Sequence, residues 1–147
     1  MSRHASRQAL AREFGATDIV EERGDAGVAR IKQPTNGLGA HSVIEAVGTQ
    51  ESMMQAIRAT RPGGHIGDVG VSHEGVALPA DELLFSEVHL HGGPAPVRRF
   101  LPEPIPLIRD RKINPGKVFD LTLPLAQASE GDKAMDERRP IKVLLTL

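Results

Sequence analysis

The sequence predicts an α/β protein built on a mostly parallel sheet, and three observations predict it. Short apolar runs alternate with segments of helical spacing along the chain. Three successive runs, IEAVG, DVGV and HLHGGP, carry glycine at or near the carboxyl end, at Gly48, Gly70 and Gly92–Gly93. The opening, MSRHASRQALAREFGATDIV, reads as a helix feeding a strand, the second half of a βαβ unit with only the first three residues left for the strand before it.

Each element has its own local cause. Ala9, Leu10 and Phe14 give residues 7–14 an apolar helical stripe, and Gly15 supplies the stop. Residues 17–20 read as a strand, and 25–32 as a helix ended by Pro34 and the turn Asn36-Gly37. HSVIEAV, 41–47, is a strand apolar enough to be covered on both faces. Thr49 caps the next helix, with Glu51 and Gln55 in its first turns and Met53, Met54 and Ile57 on its buried side. The turn Arg61-Pro62-Gly63-Gly64 releases a strand over 65–71. A short turn through 81–85 leads to another at 87–93.

The stretch PVRRFLPEPIPLIRDRKI has helical spacing at Leu101, Ile105 and Ile108 but holds Pro102, Pro104 and Pro106. An interior proline costs about 3 kcal/mol, so an irregular first half and a regular turn after Pro106 are expected. A strand at 118–123, a helix at 125–135 and a final strand at 141–147 complete the pattern.

Composition narrows the function classes. With 18 basic and 19 acidic residues in 147, no global field recruits nucleic acid or an acidic membrane. The length suits a single domain. Cysteine is absent, which removes disulfides and thiolate metal sites and fits a reducing cytoplasm. No apolar run approaches the roughly 18 residues of a membrane span. Four Phe and no Tyr or Trp leave no aromatic stacking platform.

Ligands of open parallel sheets bind along the carboxyl edge, where glycine lets a flat ligand approach the backbone. The three strand-end glycines therefore mark a ligand edge. TNGLG, 35–39, superficially resembles a phosphate loop, but it precedes a strand, whereas such a loop follows a strand and opens a helix. No GxGxxG occurs. A nucleophile-elbow motif is also missing, which sets aside a hydrolase. Glu87, His89 and His91 alternate on one strand and share a face, a pattern suited to a small metal site or, more simply, to a polar edge.

The segments SRHASRQALAREFGATDIV, GLGAHSVIEAVGTQESMMQAI, RPGGHIGDVGV, VHLHGGPAPVRRFLPE and AMDERRPIKVLLTL together resemble the zinc-type alcohol dehydrogenases of the medium-chain dehydrogenase family, essentially end to end. The resemblance implies a partial doubly wound, Rossmann-type sheet lacking the first strand and glycine-rich loop, with residues 1–147 a truncated dinucleotide-binding domain and the catalytic zinc domain absent. It implies an NADP site, or NAD in its place. Ser2 falls at the ribose-reading position with Arg3 next and Arg7 one turn on, suited to a 2′-phosphate.

Val47 and Gly48 match contacts near the riboses, and Val69, Gly70 and Val71 lie where the family's backbone meets the nicotinamide. His89, Leu90, His91, Gly92 and Gly93 match the strand that holds the carboxamide, and Lys142 a basic position on the pyrophosphate. Asp68 departs from the family pattern, and is expected at a sheet edge or hydrogen-bonded. The implied activity is hydride transfer between an alcohol and NAD(P), with the chain alone non-catalytic. The competing expectation is a non-catalytic assembly domain, a homo-oligomer joined through exposed strand edges.

Overall fold

The computed structural model describes residues 4–72 and 75–147. Seven helices and five strands alternate among the described residues. They are α1 (Ala5–Glu13), α2 (Gly24–Lys32), β1 (Ala40–Glu45), α3 (Gln50–Ala59), β2 (Thr60–Asp68), α4 (Ala80–Ser86), β3 (His89–Gly92), α5 (Val97–Phe100), α6 (Pro104–Arg109), β4 (Phe119–Pro124), α7 (Ala128–Asp136) and β5 (Lys142–Thr146). The chain divides into two compact units, one running to Gln8 and from Gly15 to Ala95, the other comprising Ala9–Phe14 and Pro96–Leu147.

The first unit is built on a parallel sheet in the order β1-β2-β3. Because side chains alternate along a strand, the register row Val43, Ile66, Leu90 turns to one face. There Ile66 meets Met53, Ala56 and Ile57 of α3, whose apolar positions recur at helical spacing. Ile57 and Ile66 are fully buried, and each contributes about 1.5–3 kcal/mol by leaving water.

The start of α3 is fixed by reciprocal capping. The Thr49 hydroxyl accepts from the Ser52 N–H at 3.2 Å, and Ser52 Oγ accepts from the Thr49 N–H at 3.1 Å, a device that stabilises a helix by about 1 kcal/mol. Arg58 then joins three helices, through Glu82 of α4 at 2.6 Å and Asp25 of α2 at 3.4 Å. These are exposed pairs and orient more than they stabilise.

The strand expected at residues 17–20 does not form. That stretch is extended but pairs with no strand among the described residues, and only a neighbouring ladder makes an extended segment a strand.

In the second unit β4 and β5 form a separate parallel pair, with Ala134 of α7 fully buried. Asp120 Oδ1 accepts from the N–H groups of Ile141 and Lys142 at 2.7 and 3.3 Å, and so pins the start of β5. The proline-rich stretch breaks differently from expectation. Helix α5 ends before Pro102, and α6 begins at Pro104 rather than after Pro106. Both prolines of α6 lie in its first turn, where N–H groups have no intrahelical acceptor and none is lost.

Candidate functional site

The carboxyl ends of β1, β2 and β3 form one edge of the first unit. In register, Glu45, Asp68 and Gly92 stand side by side there. Glu45 is 2% exposed and organises the edge from both ends of its residue. Its carboxylate accepts from the Val47 N–H at 2.9 Å and from the Gly48 N–H at 3.1 Å. Its carbonyl accepts from the Val69 and Gly70 N–H groups at 2.9 and 3.1 Å. The turns leaving β1 and β2 are thereby held to one residue.

Burial pushes the Glu45 carboxyl up, but hydrogen bonds from the Ser52 hydroxyl and the Val47 and Gly48 amides outweigh it. The group sits below the usual carboxylate range.

The two glycines are required by close approach. Gly48 has φ +82°, and a Cβ there would overlap the Val71 carbonyl oxygen. A Cβ on Gly70 would collide with the Glu45 carboxylate and lie 2.6 Å from the Gly48 nitrogen. With the amides turned inward, the turns present Val47, Val69 and Val71 to solvent, each more than three-fifths exposed. The result is a rigid edge with an apolar valine surface, suited to the face of a planar ring.

Five of the residues singled out from the sequence, Val47, Gly48, Val69, Gly70 and Val71, are thus brought together. The stretch from His89 to Gly93 lies on and just past the adjacent strand. Leu90 packs toward the core, while Gly93 has φ +127° with open space around it. Arg7 lies on α1. Lys142 opens β5 in the second unit, opposite Phe119. Ser2 and Arg3 lie outside the described residues.

Asp68 is on the middle strand, not at a sheet edge. Its register neighbours are Glu45 and Gly92, and its Oδ1 is buried with no hydrogen-bond partner among the described residues. Glu45 itself was not singled out, although an acid inside the apolar run VIEAV was the available signal.

Glu87 does not extend the strand face of His89 and His91, because it adopts φ +54° ahead of β3. In its place His65 of β2 joins them, its ring stacked on His89 at 4.8 Å and lying 6.1 Å from His91. As placed, no three His, Asp or Glu side chains among the described residues are arranged to hold a metal ion.

Parallel strands with intervening helices and a glycine-lined carboxyl edge define a Rossmann-type α/β fragment. Residues 1–100 match the zinc-binding dehydrogenase family, and the chain belongs to that family. Among its relatives, a probable zinc-binding alcohol dehydrogenase of Mycobacterium tuberculosis is 40% identical over 119 residues, covering 80% of this chain and 30% of the relative. An NADP-dependent isopropanol dehydrogenase of Entamoeba histolytica is 32% identical over 115 residues, 75% of this chain and 31% of the relative.

The alcohol dehydrogenase TADH from Thermus sp. ATN1 superposes with a TM-score of 0.88 at 28% identity, over 99% of this chain and 42% of that one. The chain therefore spans about a third of the length of these curated relatives. It corresponds to the coenzyme-binding portion of zinc-type alcohol dehydrogenases. Among the described residues, no helix is long and apolar enough to cross a membrane.

Proposed function

We propose that this chain binds a nicotinamide dinucleotide, NADP in preference to NAD, as the cofactor-holding part of a cytoplasmic zinc-type alcohol dehydrogenase. The observation that carries the reading is the edge held by Glu45, with Gly48 and Gly70 in a contact no side chain permits and three valines facing outward. Gly92 and Gly93 continue that edge past β3, beside the backbone of His89 to His91. Bound there, the dinucleotide supplies the carbon that takes up a hydride. The chain's own part is to position the ring and keep one face dry.

The lean to NADP rests on the sequence positions of Ser2, Arg3 and Arg7, a hydroxyl and two guanidinium groups suited to a 2′-phosphate, and on the NADP dependence stated in the name of the Entamoeba relative. The catalytic zinc held by cysteine, histidine and acidic ligands has no fit here, since the chain contains no cysteine, and no step is routed through it. On its own the chain transfers no hydride.

Isothermal titration of the folded chain with NADP and, separately, NAD tests this reading. Saturable heat with NADP and weaker heat with NAD is the expected result. No heat with either, from a sample folded by circular dichroism, overturns it.

A second reading concerns assembly. Both β1 and β3 are edge strands among the described residues, and α4 leaves Phe85 83% exposed. Unpaired strand edges recruit partners, so a homo-oligomer is expected in sedimentation analysis at micromolar concentration. A single monomeric boundary would sink it.

A further inference from the structure

We propose that the imidazoles of His65, His89 and His91 form a binding site for a divalent transition-metal ion on the sheet face opposite α3. Nothing in the dinucleotide reading uses these three side chains, and the two ideas fail independently. His65 and His89 are direct register partners on neighbouring strands. His91 lies two residues beyond His89, so strand alternation returns it to the same face. Its own partner in the register is Gly67, and a Cβ on Gly67 would meet only the Val43 carbonyl oxygen, at 4.0 Å. The glycine leaves room beside His91 for an ion and its waters. All three histidines are exposed.

The rings as placed stack rather than converge, at 4.8 and 6.1 Å between centroids. Convergence needs only side-chain rotation. Ring nitrogens bind zinc at about 2.0–2.1 Å, and neighbouring strands lie about 4.7–4.9 Å apart. Exposed imidazoles reach that geometry by turning about their first two side-chain torsions, between staggered wells, with the backbone ladder unchanged. Imidazole ligands suit Cu²⁺, Ni²⁺ and Zn²⁺, and three of them leave coordination positions for water. No carboxylate shares the register rows Ser42–His65–His89 and Ile44–Gly67–His91 on this face. The site is therefore selective for nitrogen-seeking ions over Ca²⁺ or Mg²⁺.

The test is titration of the full 147-residue chain with NiCl₂ by calorimetry and with CuSO₄ by electron paramagnetic resonance. One ion per chain and a copper spectrum split by at least two ring nitrogens are expected. Removing a first ligand costs at least what removing its supporting contacts does, so His65→Asn should weaken Ni²⁺ binding roughly tenfold or more. The triple variant H65N/H89N/H91N should abolish binding, while His4→Asn and His41→Asn leave it intact. Stoichiometric binding retained in the triple variant overturns the proposal, as does its loss on replacing His4 or His41. Absence of nitrogen splitting in the unaltered chain overturns it without any variant.

Discussion

Gly48→Ala is expected to destabilise the first unit by about 2–5 kcal/mol and to eliminate dinucleotide binding. Two effects add. A side chain held in the left-handed region costs about 1–2 kcal/mol, and Gly48 sits at φ +82°. Its Cβ would also overlap the Val71 carbonyl oxygen, so the turns leaving β1 and β2 must part, at a cost typical of overpacking, about 1–3 kcal/mol.

Neither turn can yield alone, because the Glu45 carbonyl is bonded to Val69 and Gly70 while its carboxylate is bonded to Val47 and Gly48. Gly37 separates the two effects. Its φ is +86° with nothing within 4 Å of a built Cβ, so Gly37→Ala should show the backbone cost only. Urea midpoints of the two variants measure the difference. Equal destabilisation would mean the contact with Val71 gives way freely, and the rigid edge on which cofactor positioning depends would be lost as an argument.

The glycines of that edge were legible in the sequence, but the contacts that require them, Gly48 against Val71 and Gly70 against Glu45, join the turns of two different strands. Glycines after IEAV, inside DVGV and after HLH mark close backbone approach wherever parallel strands end together. The helix from Gln50 was equally legible, since Thr49 supplies a cap and Met53, Met54 and Ile57 an apolar stripe within one short window, to which the structure adds Ser52 in the cap and Ala56 on the buried side. What the sequence could not supply was pairing. Residues 17–20 have strand character yet no partner strand among the described residues, and no local pattern reports a partner. The approach of His65 to His89 is hidden in the same way, because it depends on the register of two strands far apart in the chain. The break at Pro104 was misplaced for a different reason. Proline breaks a helix in its interior, whereas at a first turn it is a helix starter.

Glu45 carries the second large effect, and its sign follows from its hydrogen bonds. The folded group titrates below its ordinary value of 4.5, so the folded state holds the anion more tightly than the unfolded chain does. Its contribution is fully present above pH about 5 and is lost as pH falls from about 4.5 through the folded value. Glu82 and Glu130 are lowered too, by Arg58 and Arg139, so acid destabilisation of the natural chain alone does not isolate Glu45.

The difference between the natural chain and Glu45→Gln does. It should be constant from pH 6 to 8 and shrink steadily below about pH 4.5, because a glutamine does not titrate. Its amide oxygen, in the place of Oε1, can accept from both the Val47 and the Gly48 N–H, while its NH₂, in the place of Oε2, opposes the Gly48 N–H. Glu45→Ala leaves the buried Gly48 N–H and the part-buried Val47 N–H without their acceptor and should cost about 2–4 kcal/mol at pH 7. If Glu45→Gln matched the natural chain at pH 7, the carboxylate's charge would have no part in holding the two turns. Neutral hydrogen bonds to the side-chain oxygen would then hold Val47 and Gly48 as well as the anion does, and only Glu45→Ala, which removes that oxygen, would release the side of the valine surface that β1 supplies.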